Sequence, residues 1–155
     1  MQTLDELVAQ SPVFAGLEQP QLELIAGCGH IESVDTRERL FREGDAASTF
    51  YLVRRGRFAL TTHVPARGDV VIETLDAGEV IGWSWLFEPY RWHFDARAVE
   101  DGSLIAFDGA CLRGKCDADH TLGYELMQRF AQVMIARLQR TRTLLLDVYG
   151  DGAGN

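Results

Sequence analysis

A chain of 155 residues, 46% hydrophobic and 10% aromatic, suits one domain around one core. Its 23 acidic and 15 basic side chains give a net charge of −8, which excludes a predominantly basic nucleic-acid surface and disfavours an anionic membrane. No apolar run is long enough to span a bilayer, and residues 1–10 carry Asp5 and Glu6 with no basic residue, unlike a secretory leader.

The chain opens with helical spacing. Leu4, Leu7 and Val8 share a face. Ser11-Pro12 interrupts that segment, and proline suits the start of a further short turn. A second helix begins at Gln19-Pro20, contains Leu22, Leu24, Ile25 and Ala26, and stops at Gly27 and Gly29. The period then becomes strand-like. Ile31 and Val34 mark one strand, and Leu40-Phe41 a second, ahead of the turn Arg42-Glu43-Gly44-Asp45. Phe50-Tyr51-Leu52-Val53 and Phe58-Ala59-Leu60 flank Arg55-Gly56, which predicts a hairpin. Val70-Val71-Ile72 and Leu75 follow a loop from Pro65 to Gly68, and Val80-Ile81 follows the turn Asp76-Ala77-Gly78. Two closing strands, 94–99 and 104–107, bring the number to about eight, a sandwich or jelly-roll pattern.

The last element is a long helix over about 121–149. Met127, Phe130, Met134, Leu138, Thr141, Leu145 and Val148 step by three and four, close to a heptad seam, with Gln128, Gln132, Arg137 and Thr141 at its partly polar positions. Asp117 or Asp119 caps its start, and Arg137, Arg140 and Arg142 suit the negative end of its dipole. The small, Gly-rich residues 150–155 read as a disordered tail. Cys28, Cys111 and Cys116 are odd in number and lack a framework spacing, which points to reduced thiols in a cytoplasmic protein.

This order of elements, with Leu40-Phe41-Arg42-Glu43-Gly44-Asp45, Phe50-Tyr51-Leu52-Val53-Arg54-Arg55-Gly56 and Leu75-Asp76-Ala77-Gly78-Glu79-Val80-Ile81-Gly82, resembles the cyclic nucleotide-binding domain of the catabolite-activator (Crp/Fnr-like) family over about 14–149. The resemblance implies a mainly β fold: helices over 1–30, an eight-stranded jelly-roll β-barrel (double-stranded β-helix) over 31–108, and C-terminal helices over 109–149. It also implies a phosphate-binding cassette after Gly82. There the chain departs from the pattern of the family it resembles. The family's ribose-binding Glu is replaced by Trp83. Arg91 is the nearest candidate for the phosphate-binding Arg, although counting back from Arg97-Ala98 puts Trp92 in that slot. The cassette is therefore degenerate.

The candidate ligand site comprises Gly82, Trp83, Ser84, Trp85, Arg91, Trp92 and His93, with Leu60 and Ile72 from the neighbouring strands. A glycine leading into a short helix exposes backbone N–H groups that favour an anion. Ser84 adds a hydroxyl, Arg91 a bidentate donor, and His93 a group that titrates near neutrality. The three tryptophans either line a pocket for a flat ligand or fill the cavity where a nucleotide would sit. Arg91 is either an anion donor or a surface arginine with its stem on Trp92.

Neither a metal site nor an iron–sulfur cluster has its ligand spacing, and no nucleophile or dinucleotide motif appears, so neither a cofactor nor catalysis is expected. Too few residues follow Tyr149 for a recognition helix, so DNA is not expected as a partner. The expected function is a cytoplasmic regulatory domain. It binds a small anion, with cyclic AMP or cyclic GMP as first candidates, dimerises through its last helix, and signals through that helix to a protein partner. The alternative is an accessory interaction subunit with a tryptophan-filled pocket.

Overall fold

The computed structural model describes residues 2–153, with side chains as far as Val148. Two short helices, α1 (Leu4–Ala9) and α2 (Gln19–Ala26), lead into eight strands: β1 (Gly29–Val34), β2 (Arg39–Phe41), β3 (Thr49–Arg55), β4 (Phe58–Val64), β5 (Gly68–Leu75), β6 (Val80–Ile81), β7 (Asp95–Ala98) and β8 (Gly102–Asp108). One 3-10 turn, Ser84–Leu86, interrupts the run from β6 to β7.

The strands form two four-stranded antiparallel sheets, ordered β1-β8-β3-β6 and β2-β7-β4-β5. Consecutive strands alternate between the sheets, except β4 and β5, which pair from Phe58↔Leu75 to Val64↔Gly68. The eight strands and jelly-roll order match the expectation. The closed barrel does not, because among the described residues no strand pairing joins one sheet to the other.

The hairpin expected at Arg55-Gly56 is also absent, since β3 pairs with β6 and β8 while β4 pairs with β5 and β7. Gly56 instead turns the chain between sheets. Its φ is +94°, and a Cβ there would lie 2.8 Å from Gly102 Cα.

The centre of the first sheet, along β3, β6 and β8, is buried on both faces. Phe50, Leu52, Val80, Ile105 and Phe107 point outward into a cluster with Phe14, Ile25, Leu112, Leu122, Leu126 and Phe130 from the helical segments. Val53, Ile81 and Leu104 point inward, against Phe41, Phe58, Leu60 and Leu75. This two-sided burial explains why β8 carries an unbroken buried run from Gly102 to Phe107.

After β8, Asp108 caps α3 (Gly109–Ala118) by accepting the Cys111 N–H at 3.0 Å. Asp119 then accepts the N–H groups of Thr121 and Leu122, starting α4 (His120–Ala153). Of the residues expected as a tail, 150–153 continue α4, and 154–155 lie outside the described residues.

The predicted helix stripe divides in two. Phe130 leaves the seam and packs on the sandwich with Leu122 and Leu126, whereas Met127, Leu138, Leu145 and Val148 face outward. Arg137 also leaves the seam, as it is only 4% exposed.

Cys28 and Cys111 are not free thiols. They form a disulfide with a Cα–Cα distance of 5.8 Å, joining the segment between α2 and β1 to α3. The sequence offered no sign of this pairing, because 83 residues separate the two cysteines. Among the described residues, no helix is long and apolar enough to cross a membrane.

Candidate ligand site

The cassette begins where β6 ends. Gly82 has φ +96°, which turns the chain out of the sheet into the 3-10 turn Ser84–Leu86. This turn has only three residues, so the helix dipole expected to favour an anion is small.

The segment returns through Tyr90–Trp92 by pairing with the turn after β2. Ala47 N–H donates to Tyr90 O at 2.7 Å, Trp92 N–H to Asp45 O at 3.0 Å, and Gly44 N–H to Trp92 O at 2.8 Å. These bonds aim Trp92 into the sandwich. Its ring stacks on Phe41 at 3.7 Å between centroids and lies over the bare face of Gly82.

The three tryptophans therefore do not share one pocket. Trp92 is 3% exposed and belongs to the inner core. Trp85 is fully buried in the outer cluster, stacked on Phe50 at 4.5 Å, and its indole N–H has no hydrogen-bond partner. Trp83 alone is half-buried.

Ser84 is buried and His93 exposed. Arg91 is exposed and donates to the Gly44 carbonyl at 3.2 Å, so its guanidinium holds the neighbouring turn. Leu60 lies in the inner core. Ile72 points outward because the β4–β5 register shifts there, with Leu60 opposite Glu73 and Thr61 opposite Val71. This bulge leaves Ile72 unpaired in the ladder and places Glu73 beside the last helix.

Arg137 of α4, which sequence reasoning assigned to the seam and the helix dipole, occupies the cassette side instead. It donates to the Val80 carbonyl, two residues before Gly82. Its guanidinium carbon lies 5.2 Å from the Trp83 ring centroid. Its Nε is 3.9 Å from Glu73 Oε1, an ion pair without hydrogen-bond geometry. Both Nε and Nη1 are buried without a hydrogen-bond partner. Arg140, one turn on, reaches Glu79 at 2.7 Å and Glu73 at 3.4 Å.

Burial sets the charge balance of this cluster. It lowers the proton affinity of Arg137, although Glu73 and Glu79 oppose the effect. It also pushes the Glu73 carboxyl up, despite the pull of Arg137 and Arg140. Glu73 is thus a weakly held counterion for a buried cation. The three-residue step from Arg137 to Arg140 signalled a shared helix face, but nothing local showed that the face meets Glu73 and Glu79.

On the other side of the cassette, Arg113 of α3 donates to the Trp85 carbonyl at 2.5 Å and lies 4.1 Å from the Tyr90 ring centroid. The cassette is therefore held from two sides, by α4 through Arg137 and by α3 through Arg113.

The family described as "cyclic nucleotide-binding domain" matches residues 31–119. A Geobacter metallireducens protein described as cyclic nucleotide-binding is similar at 28% identity and TM-score 0.79, over 89% of this chain and 99% of its own. A Thermus thermophilus catabolite activator protein shares the fold at 24% identity and TM-score 0.68, over 90% of this chain and 63% of its own. The regulatory domain of a Toxoplasma gondii protein kinase A, solved with cyclic AMP, shares it at 18% identity and TM-score 0.63, over 72% of this chain and 42% of its own. No curated protein matches the chain. The jelly-roll order, the cassette after Gly82 and this match over residues 31–119 together place the chain in the cyclic nucleotide-binding domain family.

Proposed function

We propose that the chain is a regulatory module that binds a small anionic ligand, a cyclic nucleotide first among candidates, between the cassette and α4. The observation that carries this reading is Arg137. It is a buried cation with two unpartnered guanidinium nitrogens, set over Trp83 and beside the start of the cassette. A phosphate replacing the weakly held Glu73 would give those nitrogens charge-assisted bonds. Arg137 sits on α4, so a ligand that engages it biases the position of that helix, which is the output. The outward-facing seam of α4 is the surface through which a second copy or a protein partner would read the change. The reading assigns the chain no catalytic step.

Two observations motivate a second reading. Trp92 closes the inner face of Gly82, and Trp85 belongs to the core, which suits an accessory interaction subunit. Calorimetric titration with cyclic AMP and cyclic GMP separates the two. We expect micromolar binding to the wild type, weakened about 10- to 100-fold by Arg137→Gln and unchanged by Arg91→Ala. No heat with the folded wild type would leave the interaction-subunit reading standing.

A further inference from the structure

The Cys28–Cys111 bond occupies a mechanically informative place. It ties the entry to β1 to the first turn of α3, and two residues along that helix Arg113 grips the cassette. A cleft of about 430 Å3 opens at the bond, lined by Cys28, Cys111, Gly27, Gly29, Ser48 and Asp108. Such an opening admits a small thiolate. The third cysteine, Cys116, is free, and burial first, then Asp117 and Asp119, push its thiol up. That shift lowers its thiolate fraction and makes it a weaker competitor in exchange.

α3 does not depend on this bond alone. Leu112 is fully buried, Lys115 donates to the Leu24 carbonyl at 2.6 Å, and Gly109 N–H donates to Ser48 O at 2.8 Å. Breaking the bond would therefore loosen the helix and leave the fold in place. The looseness would reach the cassette through Arg113, which holds both Trp85 O and the Tyr90 ring.

We propose that Cys28 and Cys111 form a reversible dithiol–disulfide site whose state sets how firmly α3 holds the cassette. The exchanging partner is a dithiol/disulfide couple. One thiolate of the dithiol attacks a sulfur of the Cys28–Cys111 bond and displaces the other as a thiolate, which takes up a proton. The partner's second thiol, losing its proton, then attacks the partner's own sulfur in the mixed disulfide and expels the remaining cysteine as a thiolate, which takes up a proton, leaving two cysteine thiols here and a closed disulfide on the partner. The reverse sequence restores the bond. Reversible disulfides of this kind serve redox sensing in compartments where structural disulfides are rare. The proposal does not depend on what the cassette binds.

The test uses the whole folded chain and dithiothreitol as the dithiol. Native alkylation followed by intact mass should add one label at Cys116 in the oxidised protein and three after reduction, since the chain has three cysteines. Peptide mapping should find Cys28 joined to Cys111, and removing the reductant in the presence of oxidised glutathione should restore the bond. Hydrogen exchange should become about tenfold faster or more in 84–92 and 109–118 on reduction, with β4 and β5 unchanged. Cys116→Ser should show the same change in exchange, with no label when oxidised and two after reduction. Three labels without reductant, even after oxidised glutathione, would overturn the proposal. So would a bond reducible only after denaturation, or exchange in 84–92 indifferent to the redox state.

Discussion

The indole of Trp92 lies directly on Gly82, so a Cβ built on Gly82 would come within 2.4 Å of that ring. Gly82 also has φ +96°, so an added side chain meets both a clash and a strained backbone. The backbone strain costs about 1–2 kcal/mol by itself. Gly82→Ala should therefore destabilise the wild type more than it destabilises a Trp92→Leu variant, where the ring is gone and the strain remains. Urea denaturation of the four-member cycle should give a coupling of at least ~1 kcal/mol. Additive effects would mean that Trp92 does not pack on Gly82 in solution.

Arg137 and Arg140 share a helix face but not a role. Arg137 is buried with unpartnered nitrogens, whereas the Arg140 side chain is half exposed. Arg137→Met leaves Glu73 without its nearest buried cation and should cost roughly 3–5 kcal/mol. Adding Glu73→Gln should recover most of that loss, because it removes a largely buried carboxylate that only the half-exposed Arg140 would then balance. Arg140→Ala should cost under ~1 kcal/mol. A mild Arg137→Met, measured by the same denaturation, would show the guanidinium to be hydrated.

Glu73 also carries a pH signature. Burial raises its carboxyl above the ordinary glutamate range in the folded chain. The folded state then binds a proton that the unfolded state has released, and stability falls as pH rises through the window just above that range. Asp5 and Asp101 are shifted down and act in the opposite direction, losing stability as pH falls. The informative quantity is the difference between wild type and Glu73→Gln, measured by denaturation between about pH 4 and 7. That difference should change across the window and then level off. A constant difference would place Glu73 in water.

The fold was legible from the sequence to the extent that its signals are local. Eight strands and both N-terminal helices follow from hydrophobic period and turn residues, and every strand falls where that pattern changes. Pairing is not local. Arg55-Gly56 has the composition of a hairpin turn, but the contact between Gly56 and Gly102 makes it a crossing between sheets. At the site, the aromatic volume after Gly82 was visible, but its division between two cores was not. That division depends on bonds from Tyr90 and Trp92 to Asp45, Ala47 and Gly44, more than forty residues earlier. Arg137 escaped for a related reason. A basic residue late in a helix reads as dipole compensation until the sheet against which it folds is known.

Removing the Cys28–Cys111 bond should lower stability, because it frees a loop closed over a separation of 83 residues. Chain-entropy reasoning puts the upper limit at about 4.5 kcal/mol for a loop of this length, and losses of this kind typically fall at about 2–4 kcal/mol. Cys28→Ser, Cys111→Ser and the double variant should lose similar amounts, since each removes the same bond. Reductant should lower the wild type to their level and leave them unchanged. Stability unaffected by both reductant and substitution would mean that the bond does not form in solution.

The last prediction concerns the outward face of α4. Tyr124, Met127, Leu138, Leu145 and Val148 are all exposed in the single chain, although they repeat at the three- and four-residue steps of a heptad seam. Leu138 lies near the middle of that seam and is 70% exposed, so a charge there has almost no cost to the isolated fold. Inside a paired seam the same charge would be buried without a partner and should separate the helices. Sedimentation should therefore show the wild type as a dimer in the micromolar range and Leu138→Glu as a monomer, with unchanged circular dichroism. A wild type that sediments as a monomer throughout that range would assign the seam to another protein, and a pull-down comparing the wild type with Leu138→Glu would then isolate a partner that depends on Leu138.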